Sequence, residues 1–184
     1  STKAHDYSLP KLKNKKLFEQ AFTHRSYLNE AKFKISSNER LEFLGDSILS
    51  FAVSNYLFTK YPEFDEGTLT NLRSLMVNTK SLSEIARELN MGQLLKLSKG
   101  EEDSGGRQNT GLLANTIEAV LGALFLSSGI EACQEYLKEV FPDSDLLAEV
   151  ELKDAKSLLQ EKSQSKNMGT PSYRILQAQG PDHA

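Results

Sequence analysis

Tryptophan is absent from the 184 residues, and cysteine occurs once, as Cys133. A lone cysteine excludes an intrachain disulfide, which fits a reducing compartment, and no neighbouring feature marks Cys133 as a reactive thiol. A basic surplus is missing too: 25 Asp and Glu outnumber 22 Lys and Arg, for a formal net charge of −3. That argues against a generic basic binder of nucleic acid. The charge is uneven, however, with Lys3, Lys11, Lys13, Lys15 and Lys16 against Asp6 near the start. No apolar run is expected to span a membrane. The basic start has no apolar stretch behind it, so it is not read as a secretory leader, and the expected location is the cytoplasm. His5, His24 and His183 are scattered, without zinc-ligand spacing. The GEEDSGG stretch lacks the Lys-Ser/Thr that completes a phosphate-cradling loop. No small-molecule cofactor is expected.

Strand signals are also lacking before residue 170, so the first 150 residues read as all-α. Apolar residues at helical spacing predict helices over 9–22, 36–61, 68–77, 81–89, 110–126 and 130–141. Ser36 with Glu39, and Ser81 with Glu84, have capping-box spacing. Asn90 and Gly92 are read as stopping the helix before them, and residues 99–109, KGEEDSGGRQN, as a polar loop. Ser127-Ser128-Gly129 should end the helix that begins at Thr110. Beyond an acidic connector after Pro142, residues 154–164 read as a helix and SYRILQAQ as one strand. A helix and one strand do not make a stable domain. The expected division is therefore 1–150 as one domain and 151–184 as the opening of a second, with the sequence stopping inside it.

Two of the helices carry acids in a telling pattern. At about 100° per residue, Glu39, Glu42 and Asp46 share one stripe, with no Lys or Arg on it. Like charges at such spacing cost a helix roughly 0.2–0.5 kcal/mol per pair. A solvated face, with Glu39 as a cap, is one explanation. The second helix, containing LLANTIEAV, places Gly111, Asn115, Glu118 and Gly122 on one stripe. Glycine inside a helix costs roughly 1 kcal/mol against alanine. Tight packing at Gly122 and a frayed start at Gly111 are the plain readings. If the two helices face each other, they gather Glu42, Asp46, Asn115 and Glu118, an oxygen-rich set suited to a hard cation such as Mg²⁺.

The segment NERLEFLGDS, residues 38–47, closely resembles the signature of the ribonuclease III family. The likeness extends to AFTHRSY, EGTLTNLRSLMVN, SLSEIAREL, GEEDSGGR and LLANTIEAVLGALFL. DAKSLLQEKSQ, PSYRI and GPDH resemble the start of the double-stranded-RNA-binding domain that follows in bacterial members. The resemblance implies an all-α endonuclease domain that forms a homodimer and takes double-stranded RNA in the valley between subunits. By position, Glu42, Asp46 and Glu118 match the metal-binding catalytic carboxylates, and Glu39 an acid associated with them. Phe43 matches an aromatic that plugs into the partner subunit. Gln160, Glu161 and Gln164 match the RNA-contacting helix of the second domain, and His183 its RNA-contacting loop. Arg107 is read as a further RNA contact. The implied reaction is hydrolysis of the phosphodiester with Mg²⁺, or Mn²⁺ in its place, leaving 5′-phosphate and 3′-hydroxyl ends, in processing of rRNA and mRNA.

Asn115 departs from the family pattern, which usually has Asp there. An amide keeps a carbonyl oxygen for a metal or a water but loses a charge. Attraction between unit charges 4 Å apart is about 4 kcal/mol at an effective dielectric of 20, less with water between them. Two expectations follow: a nuclease with a raised demand for metal, or a catalytically impaired homodimer that binds double-stranded RNA or serves as a scaffold.

Overall fold

Two long helices dominate, and the others pack around them. The computed structural model of the chain describes residues 8–141 and Ser172. Among these are seven α-helices: α1 (Lys15–Ala21), α2 (Glu39–Lys60), α3 (Glu66–Met76), α4 (Thr79–Glu88), α5 (Met91–Leu94), α6 (Lys99–Asp103) and α7 (Thr110–Val140). Short 3-10 turns cover Arg25–Asn29 and Gly106–Gln108. The described residues contain no strand, only one isolated parallel bridge between Thr23 and Lys96. The all-α expectation therefore holds for them.

The core is aliphatic. Leu49, Val53 and Leu57 of α2, Leu72 of α3, Leu82 of α4 and Leu113, Ile117 and Leu121 of α7 are all but sealed from solvent. The main interface is α2 on α7, and α4 covers α7 from another side. By length and composition α7 is long and apolar enough to cross a membrane, contrary to the sequence expectation. Most of that stretch is buried within the domain, where it is the central core helix. Its continuity is broken at Gly129, whose φ of 84° a residue with a side chain rarely adopts, so α7 is two helical segments that meet where an end at 127–129 and a new helix from 130 were expected.

The caps differ from the sequence reading. Neither expected capping box forms. Asn38, not Ser36, precedes α2, and its side chain makes no cap bond. Instead its amide donates to the Ala21 carbonyl at 3.2 Å and its backbone N–H to the Thr23 carbonyl at 2.8 Å. Asn38 is thus a buried peg that ties the start of α2 to the end of α1. At α4 the cap is Asn78, whose Oδ1 accepts from the Ser81 N–H at 2.9 Å, while the Ser81 hydroxyl donates to the Leu75 carbonyl. Asn109 caps α7 by accepting from the Leu112 N–H at 3.1 Å.

Between α4 and α7 the chain is more ordered than expected. Asn90, at φ 53°, does end α4, but α5 begins at once. Gly92 lies buried inside α5, because a Cβ there would overlap the Arg107 carbonyl. The stretch read as a loop at 99–109 contains α6, capped by Ser98, and a 3-10 turn.

Candidate active site

The site begins with two glycines. A Cβ on Gly45 would fall on the backbone carbonyl of Glu118, and one on Gly122 on the carbonyl of Leu41. So α2 and α7 cross antiparallel with their backbones in direct contact, a closeness that only glycine permits. The plain reading of Gly122 as a packing residue is correct, and Gly111 simply lies in the first turn of α7. Gly45 sits between Glu42 and Asp46, and Gly122 follows Glu118 by one turn. The contact therefore brings the two acid-bearing stripes together.

The result is a cavity of about 470 Å³ lined by Glu39, Glu42, Asp46, Asn115 and Glu118, with His24, Arg25 and Phe43 at its walls. The structure brings together all five candidates that the two stripes supplied. Glu118 is the most buried acid. Burial first, then the charges of Asp46 and Glu42, push its carboxyl up to about 7. Glu42 is raised as well, by burial and then by Glu39 and Asp46. Both shifts come first from burial and then from the neighbouring carboxylates.

Glu39 stands apart from the other three. Its Oε1 accepts from Arg25 Nη1 at 3.1 Å and its Oε2 from the Ser37 hydroxyl at 2.9 Å. The side chains of Glu42, Asp46, Asn115 and Glu118 make no hydrogen bond or ion pair with any described residue. Their donor chemistry fits a hard divalent cation: all four offer oxygen, and the three carboxylates repel one another. They are not a closed cage, since among the described residues no three His, Cys, Asp or Glu side chains are already arranged to hold an ion.

Arg107 is placed elsewhere. Its Nη1 donates to the carbonyls of Gly92 at 3.0 Å and Leu95 at 2.7 Å, and its Nε to Glu102 Oε1 at 2.7 Å. These bonds make it a clamp on the segment between α4 and α7, and it is not among the residues that line the cavity. Its hydrogen bond, and then its charge, hold the Glu102 carboxyl below the usual range. Gln160, Glu161, Gln164 and His183 lie outside the described residues. Sequence reasoning gave no role to His24 or Arg25. They reach the cavity through the Thr23–Lys96 bridge, in which the His24 N–H donates to the Lys96 carbonyl at 3.1 Å. Spacing along the chain carries no sign of that contact.

Comparison with known proteins agrees with this geometry. A family model described as Ribonuclease-III-like matches residues 14–144. The chain is 49% identical over 172 residues to Ribonuclease 3 of Bacillus licheniformis, covering 92% of this chain and 69% of that protein. Ribonuclease 3 of Bacillus cereus strain G9842 is likewise 49% identical, with 92% and 70% covered. The crystal structure of the nuclease domain of ribonuclease III from Campylobacter jejuni superposes with a TM-score of 0.65 at 38% identity, over 72% of this chain and 90% of that one. Dicer from Pichia stipitis superposes with a TM-score of 0.57 at 26% identity, over 97% and 80%. With a family model over most of its length and relatives this similar, the chain belongs to the ribonuclease III family of RNA-cleaving enzymes.

Proposed function

We propose that the chain is an endonuclease for double-stranded RNA that hydrolyses phosphodiesters with a divalent cation, Mg²⁺ or Mn²⁺, at the cavity between α2 and α7. The observation that carries this reading is the gathering of Glu42, Asp46 and Glu118, uncommitted to the rest of the fold, in one cavity. Those three carboxylates, with the Asn115 carbonyl oxygen, would hold the cation. When bound, the cation supplies a Lewis acid for the phosphate and lowers the pKa of water. Glu42, Asp46 and Glu118 in their charged forms would present the donor oxygens, and the packing of α2 on α7 holds them near one another. Arg25 holds Glu39 at the rim. Water attacks phosphorus, the bond to the 3′ oxygen breaks, and that oxygen takes a proton, leaving 5′-phosphate and 3′-hydroxyl ends.

The working unit in this proposal is a homodimer. Phe43 is 80% exposed beside the acids, and Phe51 and Phe58 of the same helix are 57% and 73% exposed. Spacings of eight and seven residues put all three on one side of α2, a row of exposed aromatics that a second copy could cover. A relative's structure, from Campylobacter jejuni, is described by a region involved in dimer formation. The proposal further takes 1–150 as the nuclease domain, 151–184 as the start of a double-stranded-RNA-binding domain, and rRNA and mRNA processing in the cytoplasm as the setting.

A second reading rests on Asn115 alone: a catalytically impaired homodimer that binds duplex RNA or serves as a scaffold. Cleavage of a long RNA duplex across a Mg²⁺ titration, with Mn²⁺ alongside, separates the two. Cutting at millimolar Mg²⁺ that is lost in Glu118→Ala supports the nuclease. No cutting at any metal level supports the second reading, and restoration by Asn115→Asp would locate the fault at that one amide.

A further inference from the structure

The cavity is acidic, yet the substrate proposed for it is a polyanion. Hydrogen-bond donors are needed at its wall, and most of those present are already engaged. The Asn38 amide donates to the Ala21 carbonyl at 3.2 Å, and the Thr116 hydroxyl to the Leu112 carbonyl at 2.6 Å. Arg25 gives Nη1 of its guanidinium to Glu39 and carries its other donors on an exposed side chain at the rim. Asn115 belongs to the metal set. His24 is the half-buried donor that remains.

Its ring is held in a defined state. Nδ1 accepts from the Ser26 backbone N–H at 3.3 Å, capping the 3-10 turn Arg25–Asn29, and lies 2.9 Å from the Ser26 hydroxyl. That hydroxyl oxygen accepts from the Ser98 N–H at 3.0 Å, so its own proton is free to point at Nδ1. With Nδ1 an acceptor, the neutral ring carries its proton on Nε2. Nε2 has no partner among the described residues, and His24 lines the cavity. The cap thus orients the ring and leaves a donor for something that enters.

We propose that His24 Nε2–H donates a hydrogen bond to a non-bridging oxygen of the RNA backbone phosphate, a substrate contact beside the carboxylate cluster. This rests on the proposed reading of the chain as a nuclease for duplex RNA. The discriminating variant is His24→Asn. Asparagine is an equally good cap, because its Oδ1 can accept from the Ser26 N–H, but it lacks the distal N–H. Melting of the variant chain should match that of the parent. A lost hydrogen bond to a charged group implies a fall of about tenfold to a hundredfold in kcat/KM for duplex RNA, carried mainly by KM. A kcat/KM within about twofold of the parent overturns the contact.

A second measurement covers the case in which the variant misfolds. In the full chain carrying Glu118→Ala, ring-nitrogen NMR of the labelled histidines should show the His24 Nε2 signal shift on adding a short RNA duplex. An unmoved His24 signal while the duplex binds overturns the contact. A parent that neither cuts nor binds duplex overturns the nuclease reading, and this one with it. A parent that cuts while the contact fails overturns only the contact.

Discussion

Glu118 is an acid that holds its proton to about pH 7 in the folded chain, against an ordinary value of 4.5. Between those values the folded state keeps a proton that the unfolded state has released, so stability falls as pH rises through that window. The full shift would correspond to about 3 kcal/mol, and screening by the open side of the cavity leaves on the order of 1 kcal/mol. In metal-free buffer the melting temperature should therefore drop by a few degrees from pH 4.5 to 7.5. Glu118→Gln should flatten that drop, and millimolar Mg²⁺ should raise the melting temperature of the parent at pH 7.5 but not that of the variant. Differential scanning calorimetry with chelator and with Mg²⁺ checks both. Asn115→Asp adds a fourth carboxylate to the metal set. It should lower the Mg²⁺ concentration for half-maximal cleavage by about tenfold, the equivalent of only 1.4 kcal/mol, and lower the metal-free melting temperature. The acids themselves were legible because a stripe is a local property of one helix. Asn38 and His24 were not, since Asn38 is fixed by the carbonyls of Ala21 and Thr23 on another element and His24 is brought to the cavity by a bond to the Lys96 carbonyl, 72 residues along the chain.

At the scale of elements, α2 and α7 were readable from periodicity, and their facing arrangement was a correct conditional. The caps were less so. Ser36 and Ser81 had the right spacing, but a nearby asparagine stands at the boundary in each case, Asn38 through tertiary bonds to Ala21 and Thr23 and Asn78 by accepting from the Ser81 N–H. Helices α5 and α6, of four and five residues, are too short to persist alone. Arg107 grips both, through the carbonyls of Gly92 and Leu95 at α5 and the carboxylate of Glu102 in α6, which no local pattern announces. The helix crossing makes a sharp prediction. Gly45→Ala and Gly122→Ala each drive a methyl into a backbone carbonyl. Each should cost about 3 kcal/mol or more, read by urea denaturation. Gly100→Ala, where added bulk meets nothing within 4 Å, should be neutral or slightly stabilising by helix propensity.

For the whole molecule, the exposed aromatics of α2 are the feature that an isolated copy leaves unexplained. If Phe43 inserts into a second copy, Phe43→Ala should weaken self-association by about tenfold or more, in keeping with the loss of a buried aromatic anchor. Sedimentation equilibrium across a micromolar range reads this directly. A parent that sediments only as monomer would remove the homodimer from the proposal. The backbone contact at the centre of the domain has a different kind of consequence. No side chain acts as a spacer where the two helices touch, so the separation of Glu42 and Asp46 from Asn115 and Glu118 does not depend on the volume of any one core residue. Leucine and isoleucine positions elsewhere in the interior are then free to exchange sizes, within the limits of melting, without moving the carboxylates. In a library of random variants selected for cutting, positions 45 and 122 should return glycine alone, while the aliphatic core around them returns a mixture.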